Sequence, residues 1–194
     1  IIIIISIIMN VLIYGSNGWI GKQFTDLMDS EKINYVKGSS RVDDNDKLIG
    51  EIDNIKPSHI ISFIGRTHGQ LYENIRDNLY SPLLLCDICK KRNIHFTYLG
   101  TGCIFQYDEE HLFGKIDNGF TEESLPNFFG SSYSIVKGFT DRLMKQYENE
   151  VLNLRIRMPI NSENNNRNFI YKITNYEKIC SVPNSMSVLP ELLP

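Results

Sequence analysis

An α/β protein built on a doubly wound parallel sheet is the fold class that the sequence predicts, and three observations carry it. Short apolar, β-branched runs alternate with amphipathic stretches of helical length from residue 10 to residue 159. A turn with three glycines three apart, "GSNGWIG", joins the first run to the first amphipathic stretch. The chain of 194 residues, 42% of them hydrophobic, is long enough for one domain with a buried core.

Taken in order, "NVLIYG" reads as a strand, 18–30 as a helix, "INYVKG" as a strand and 44–55 as a helix. "HIISFIG" is the third strand, 73–92 a long helix, "HFTYLGT" the fourth strand, 131–149 a helix and "VLNLRIRMP" the fifth strand. Strands separated by helices imply right-handed crossovers, hence parallel strands with helices on both faces. The connection 104–130 is too long for a tight turn and holds Gly114, Gly119, Pro126 and Gly130, the mark of a functional loop. A second polar loop, "NSENNNRN", covers 161–168. The division expected is residues 1–8 as a non-native or disordered leader, 9–160 as the nucleotide-binding domain, and 161–194 as the start of a substrate-binding portion.

The leader "IIIIISII" has no basic flank and no small-residue cleavage site, and the apolar run to Tyr14 is short for a membrane span, so no membrane partner is expected. A formal charge of −3 leaves no basic surplus for a polyphosphate chain, which argues against nucleic acid. Four cysteines, Cys86, Cys89, Cys103 and Cys180, make no disulfide framework in a chain of this size and point to a reducing cytoplasm. Cys86 and Cys89 spell C-x-x-C, but on a helical pattern and without further ligands they read as packing thiols, and no metal is expected.

In "LIYGSNGWIGKQF", Gly15 would take the tight turn out of the first strand, Gly18 would admit a pyrophosphate against the backbone, and Gly21 would let helix pack on strand. That makes the sheet Rossmann-like and the ligand a dinucleotide. About twenty residues on, an acidic group would grip a ribose 2′-hydroxyl, yet the first charge after the second strand is Arg41, which favours NADPH unless it is simply a solvated arginine beside Asp43 and Asp44. The cofactor surface is expected to comprise Gly15, Asn17, Gly18, Trp19, Ile20, Gly21 and Arg41.

"SSYSIVKGF" puts Tyr133 and Lys137 four apart at the start of a helix, on one face. A nearby ammonium lowers a phenol's pKa, so such a pair can shuttle a proton to a carbonyl oxygen. In "YLGTGCIF", Thr101 and Cys103 project to one side at the carboxyl end of a strand; Thr101 could orient a carbonyl, and Cys103 is either reactive or a small buried hydrophobe.

With these residues the chain resembles the extended short-chain dehydrogenase/reductases, and more closely the UDP-4-keto-6-deoxyglucose 3,5-epimerase/4-reductases of rhamnose synthesis of plant and giant-virus type. "GTGCIFQYD", "EESLPNFFGSSYSIVK", "LRIRMPI" and "VPNSMSVLPELLP" carry the resemblance from about residue 10 to the last. The resemblance implies inversion of C3 and C5 of a UDP- or dTDP-4-keto-6-deoxyhexose by Cys103 and Lys172, then reduction of C4 with NADPH, yielding UDP-β-L-rhamnose. Tyr133 would supply the oxygen's proton, Lys137 would hold the ribose and tune Tyr133, and Thr101 would orient the carbonyl. The resemblance also implies that Ile64, Gly65 and Pro159, together with Tyr133 and Lys137, belong to the cofactor surface. Substrate contacts are expected at Asn78, Thr101, Cys103, Asn168 and His68, with capping as the alternative for Asn168 and an ordinary loop histidine for His68. The family continues beyond "ELLP", so the C-terminal substrate-binding portion is expected to be largely missing. A homodimer is left open. Two other readings remain: a dTDP-4-dehydrorhamnose reductase without epimerase activity, and a non-catalytic NADPH-binding sensor.

Overall fold

A computed structural model describes residues 9–115, 117–179 and 181–194; the leader 1–8, Ile116 and Cys180 lie outside the described residues. Five parallel strands form one sheet, β1 (Val11–Tyr14), β2 (Tyr35–Lys37), β3 (His59–Ser62), β4 (His95–Thr101) and β5 (Val151–Ile156), in the order β2-β1-β3-β4-β5. The order reverses between β1 and β3, so the carboxyl ends of these two strands diverge into a crevice, the place where doubly wound sheets bind ligands.

Period-two alternation divides β1 between two cores. Val11 and Ile13 face helix α1 (Trp19–Ser30), where they pack with Met28 and Phe24. Leu12 and Tyr14 face the other way, onto Leu48 and Ile52 of α2 (Asn45–Ile55) and Leu85, Cys86 and Cys89 of α4 (Ser81–Arg92). Burial of both faces explains why the strands read as nearly continuous apolar runs. Each large side chain removed from water there contributes about 1.5–3 kcal/mol.

Local signals set the helix ends. Asp44 caps α2 by accepting from the Lys47 amide, and the helix stops at Lys56 in a left-handed conformation before Pro57. Ser131 caps α5 (Ser132–Met144) through the Ser134 amide at 3.1 Å. The expected helix 131–149 thus ends earlier, with a 3₁₀ turn over Lys145–Tyr147. The expected helix 73–92 is in fact three pieces: α3 (Leu71–Ile75), a π-helical turn over Arg76–Tyr80, and α4. Two short helices follow β5, α6 (Phe169–Thr174) and α7 (Leu189–Leu192). No described helix is long and apolar enough to cross a membrane.

Candidate active site

The glycine loop has the geometry its sequence predicts. Gly15 lies at φ +75°, and a Cβ there would sit 2.8 Å from the Ile64 nitrogen and the Phe63 carbonyl carbon. Gly21 presses against the Gly15 carbonyl, so neither glycine can carry a side chain without moving backbone. Gly18 begins α1 without a side-chain cap, and the first i→i−4 bond is made by Lys22. The amides of Trp19, Ile20 and Gly21 are therefore offered to an anion at the positive end of the helix. Asn17 is exposed at the tip of the turn.

At the tip of β2 the structure supplies an acid that the local sequence hides. Glu51 of α2 accepts from the Ser39 amide and hydroxyl at 2.7 and 2.6 Å and from the Ser40 amide at 3.2 Å, while the Tyr14 hydroxyl donates to it at 2.8 Å. The Ser40 hydroxyl is spent on the Lys47 carbonyl. Arg41 is exposed and pairs with Asp43 at 3.0 Å.

Beyond β3, the Ile64 backbone lies against Gly15 of the glycine loop, and Gly65 follows it facing Asn78. Asn78 was expected to contact substrate; it is instead fully buried in the π-helical turn and braces the cofactor side of the crevice. Its oxygen accepts from the Arg66 amide, and its nitrogen donates to the Arg66 carbonyl and to Asn74. His68 is exposed on the loop that follows, with no bonding partner among the described residues.

The reacting groups meet at the end of β4. Thr101 is buried and accepts the Cys103 amide at 3.1 Å, while Tyr133 turns its phenol to the Thr101 hydroxyl. Cys103 is half-buried, a free thiol outside both apolar cores and close enough to Tyr133 and Lys137 to act on their charges. Cys86 and Cys89 are the packing thiols expected, fully buried and pushed up by that burial, Cys86 to about 12.

Lys137 departs from its expected orientation. Its amino group donates to the Tyr98 hydroxyl and to the Leu99 carbonyl, and lies 4.3 Å from the centre of the Tyr98 ring. Burial pulls it down to about 7 against the opposing charge of Asp141. A lysine that has lost its proton by then lends no charge to a titrating phenol. Tyr133 is accordingly raised by burial rather than lowered; the Thr101 bond and the Arg157 guanidinium oppose that rise. The neutral phenol, a proton donor, is the form held at neutral pH.

The depressed lysine sets a pH dependence of stability. The unfolded chain binds a proton at Lys137 up to its ordinary value near 10.4, the folded chain only below about 7, so stability rises with pH above 7. Above roughly 8.5 the trend reverses, because the unfolded thiols of Cys86 and Cys89 ionise while the folded ones do not. Urea unfolding is expected to show a gain of about 1 kcal/mol from pH 7 to a maximum near 8.5. In Lys137→Met that gain should vanish.

The far wall is built by β5 and the segments after it. Arg155 and Arg157 are two apart in the strand direction and so share a face, a signal present in "LRIR". Arg155 pairs with buried Asp141 of α5. The stem of Arg157 packs against Gly102, between Thr101 and Cys103, and its guanidinium is held by Asn184 at 2.8 and 3.1 Å. Met158, next along, adopts a left-handed φ of 41°, a conformation that costs about 1–2 kcal/mol in a non-glycine residue. Through this turn Pro159 offers its carbonyl to Phe169 at the start of α6. A cleft of about 1020 Å³ opens beside Gly102, Tyr107, Arg157, Pro183 and Asn184.

Asn168 takes the capping alternative. It is buried, accepts the Ile170 amide at 3.1 Å, and donates to Asn161 and to the Glu163 carbonyl, so its amide is not free for a substrate. The same loop reaches α1, where Glu163 accepts from Trp19 at 2.7 Å and Gln23 meets Asn161. Lys172, half-buried on α6, makes no ion pair or side-chain hydrogen bond among the described residues. No group of three or more His, Cys, Asp or Glu among the described residues is placed to hold a metal.

Protein L780 of Acanthamoeba polyphaga mimivirus is 51% identical over 199 residues, covering 96% of this chain and 68% of L780. The crystal structure described as that of the L780 UDP-rhamnose synthase superimposes with a TM-score of 0.89, over 96% of this chain and 69% of the other. A bifunctional dTDP-4-dehydrorhamnose 3,5-epimerase/dTDP-4-dehydrorhamnose reductase of Arabidopsis thaliana is 44% identical over 194 residues. This chain covers 64% of that protein's length, so it spans about two thirds of both relatives. Residues 11–170 match one family throughout, and with the glycine loop, parallel sheet and Thr101–Tyr133 site they place the chain in the NAD dependent epimerase/dehydratase family.

Proposed function

We propose that the chain is the cofactor-binding and reacting part of a 3,5-epimerase/4-reductase that converts UDP-4-keto-6-deoxy-D-glucose to UDP-β-L-rhamnose with NADPH. The observation that carries the reading is the convergence of Thr101, Cys103, Tyr133 and Lys137 at the carboxyl end of β4. The similarity to L780 and to the plant bifunctional enzyme supports the same substrate class.

The residues present fit a dinucleotide, because side-chain-free glycines and uncapped amides meet at the start of α1. Gly15, Gly18 and the Trp19–Gly21 amides would hold the pyrophosphate, Ile64 and Gly65 the adenosine side, and Arg41 the 2′-phosphate. Pro159 would face the nicotinamide end. When bound, the reduced nicotinamide supplies the hydride for C4.

The chain's own residues supply the rest. Thr101 orients the C4 carbonyl, whose pull makes the hydrogens on C3 and C5 acidic. Cys103 and Lys172 work as an acid–base pair on opposite faces of the sugar, one removing a proton and the other returning it. Tyr133 protonates the C4 oxygen during reduction. Residues 161–194 form the start of the sugar-nucleotide side, tied to the segment after β5 where Ile160 pairs with Val188. Free thiols at Cys86, Cys89 and Cys103 suit a reducing cytoplasm.

The test is deuterium uptake. With the 4-keto-6-deoxyglucose nucleotide in heavy water, the protein should incorporate deuterium at C3 and C5 and oxidise NADPH. Cys103→Ala should slow that exchange about 100-fold or more while still reducing an already inverted ketone. Undiminished exchange in Cys103→Ala would remove Cys103 from the reaction, and no exchange by the unsubstituted protein above the protein-free rate would leave a reductase only.

A further inference from the structure

We propose that Tyr98 is a positioning residue of the catalytic centre, a hydroxyl seat that holds the Lys137 amino group in place whether or not it carries its third proton. The inference rests on the reading of Lys137 as part of that centre and adds a residue to it. Tyr98 lies three residues before Thr101 on β4, and Lys137 lies one turn beyond Tyr133 on α5, so their side chains meet between strand and helix. Both are buried, at 1% and 4% exposure.

Lys137 has no carboxylate of its own. The nearest, Asp141 one turn further on, gives its two oxygens to Arg155 at 2.7 and 2.8 Å and accepts from Asn153 at 2.9 Å. The partners left to the amino group are neutral: the Tyr98 hydroxyl and the Leu99 carbonyl. An ammonium donates to both. A neutral amine carries a lone pair that a carbonyl cannot satisfy and a hydroxyl can, by turning its hydrogen toward nitrogen. Tyr98 is the partner that serves both states. Its own proton stays on, since burial raises the phenol well above its ordinary value.

The other groups acting on the pair do not substitute for it. Tyr133 and Asp141 reach Tyr98 from α5 and Cys86 reaches it from α4, while Cys103 acts on Lys137 from the turn after β4. Arg155 of β5 is consumed by Asp141. When Lys137 releases its third proton to solvent, the N–H bond breaks, the amine keeps the electron pair, and the Tyr98 hydroxyl donates to it until solvent returns the proton.

Tyr98→Phe keeps the ring and the cation–π contact and removes the hydroxyl. Trace acetylation across neutral pH, read by mass spectrometry on the Lys137 peptide, gives the titration midpoint of this amine without turnover. Loss of a bond to a charged group outweighs loss of one to a neutral amine, so the midpoint should fall by about one unit or more. A merely structural Tyr98 would leave it unmoved, and that result in a folded variant overturns the proposal. If Tyr98→Phe does not fold, 3-fluorotyrosine at position 98 keeps the shape while making the hydroxyl a weaker acceptor and stronger donor. There too the midpoint must fall, and a fixed midpoint overturns the proposal. A shifted midpoint in a protein whose wild type reduces no 4-keto sugar nucleotide supports the seat and counts against the proposed function instead.

Discussion

Tyr133→Phe is expected to slow carbonyl reduction by about 100- to 10,000-fold while changing NADPH affinity far less. The size of the effect follows from how few acids can replace the phenol. Thr101 beside it is a far weaker acid, and Lys137 is turned to Tyr98 and Leu99. Arg157 bears on Tyr133 through its charge, and its guanidinium is held by Asn184. Stopped-flow oxidation of NADPH, paired with a fluorescence titration of cofactor binding, separates the two effects. A loss below tenfold would mean that the proton comes from another group.

Arg155→Met is expected to destabilise the fold by about 3–5 kcal/mol, the cost of leaving a buried partner charge alone. Asp141 retains 4% and Arg155 15% side-chain exposure, and two hydrogen bonds join them. The same guanidinium donates to the carbonyls of Thr121, Glu122 and Ser124, so one side chain ties α5, β5 and the long loop together. For a chain of this length the loss corresponds to about 10 °C or more in Tm. Adding Asp141→Leu should recover part of it, because the orphaned charge goes. Urea unfolding of both variants reads the difference. A loss below 1 kcal/mol in Arg155→Met would show that water reaches Asp141.

The glycine loop, the strands and the Thr101–Tyr133 site were legible because their signals are local: β-branched runs, glycines at strand ends, a serine before a helix. What stayed hidden depends on partners distant in the chain. Glu51 meets Ser39 and Ser40 only after α2 folds back over β2. Tyr98 looked like a strand aromatic until α5 brought Lys137 to it. The π-helical turn left no mark in "RDNLY", since what holds Asn78 there is its pairing with the Arg66 backbone twelve residues away. Asn168 was ambiguous for a physical reason, because an amide that caps a helix and one that binds a sugar look alike in sequence. Lys172 has no local signal at all and was singled out by family likeness alone.

Glu51 has one more effect. Every hydrogen that Ser39 and Ser40 can donate is already engaged, three on that carboxylate and one on the Lys47 carbonyl. An extra phosphate arriving there would have to draw the exposed arm of Arg41 away from Asp43, beside an acid that repels it. On the proposed reading, the taste for a dinucleotide's phosphorylated twin would rest on how readily that arm lets go of its aspartate.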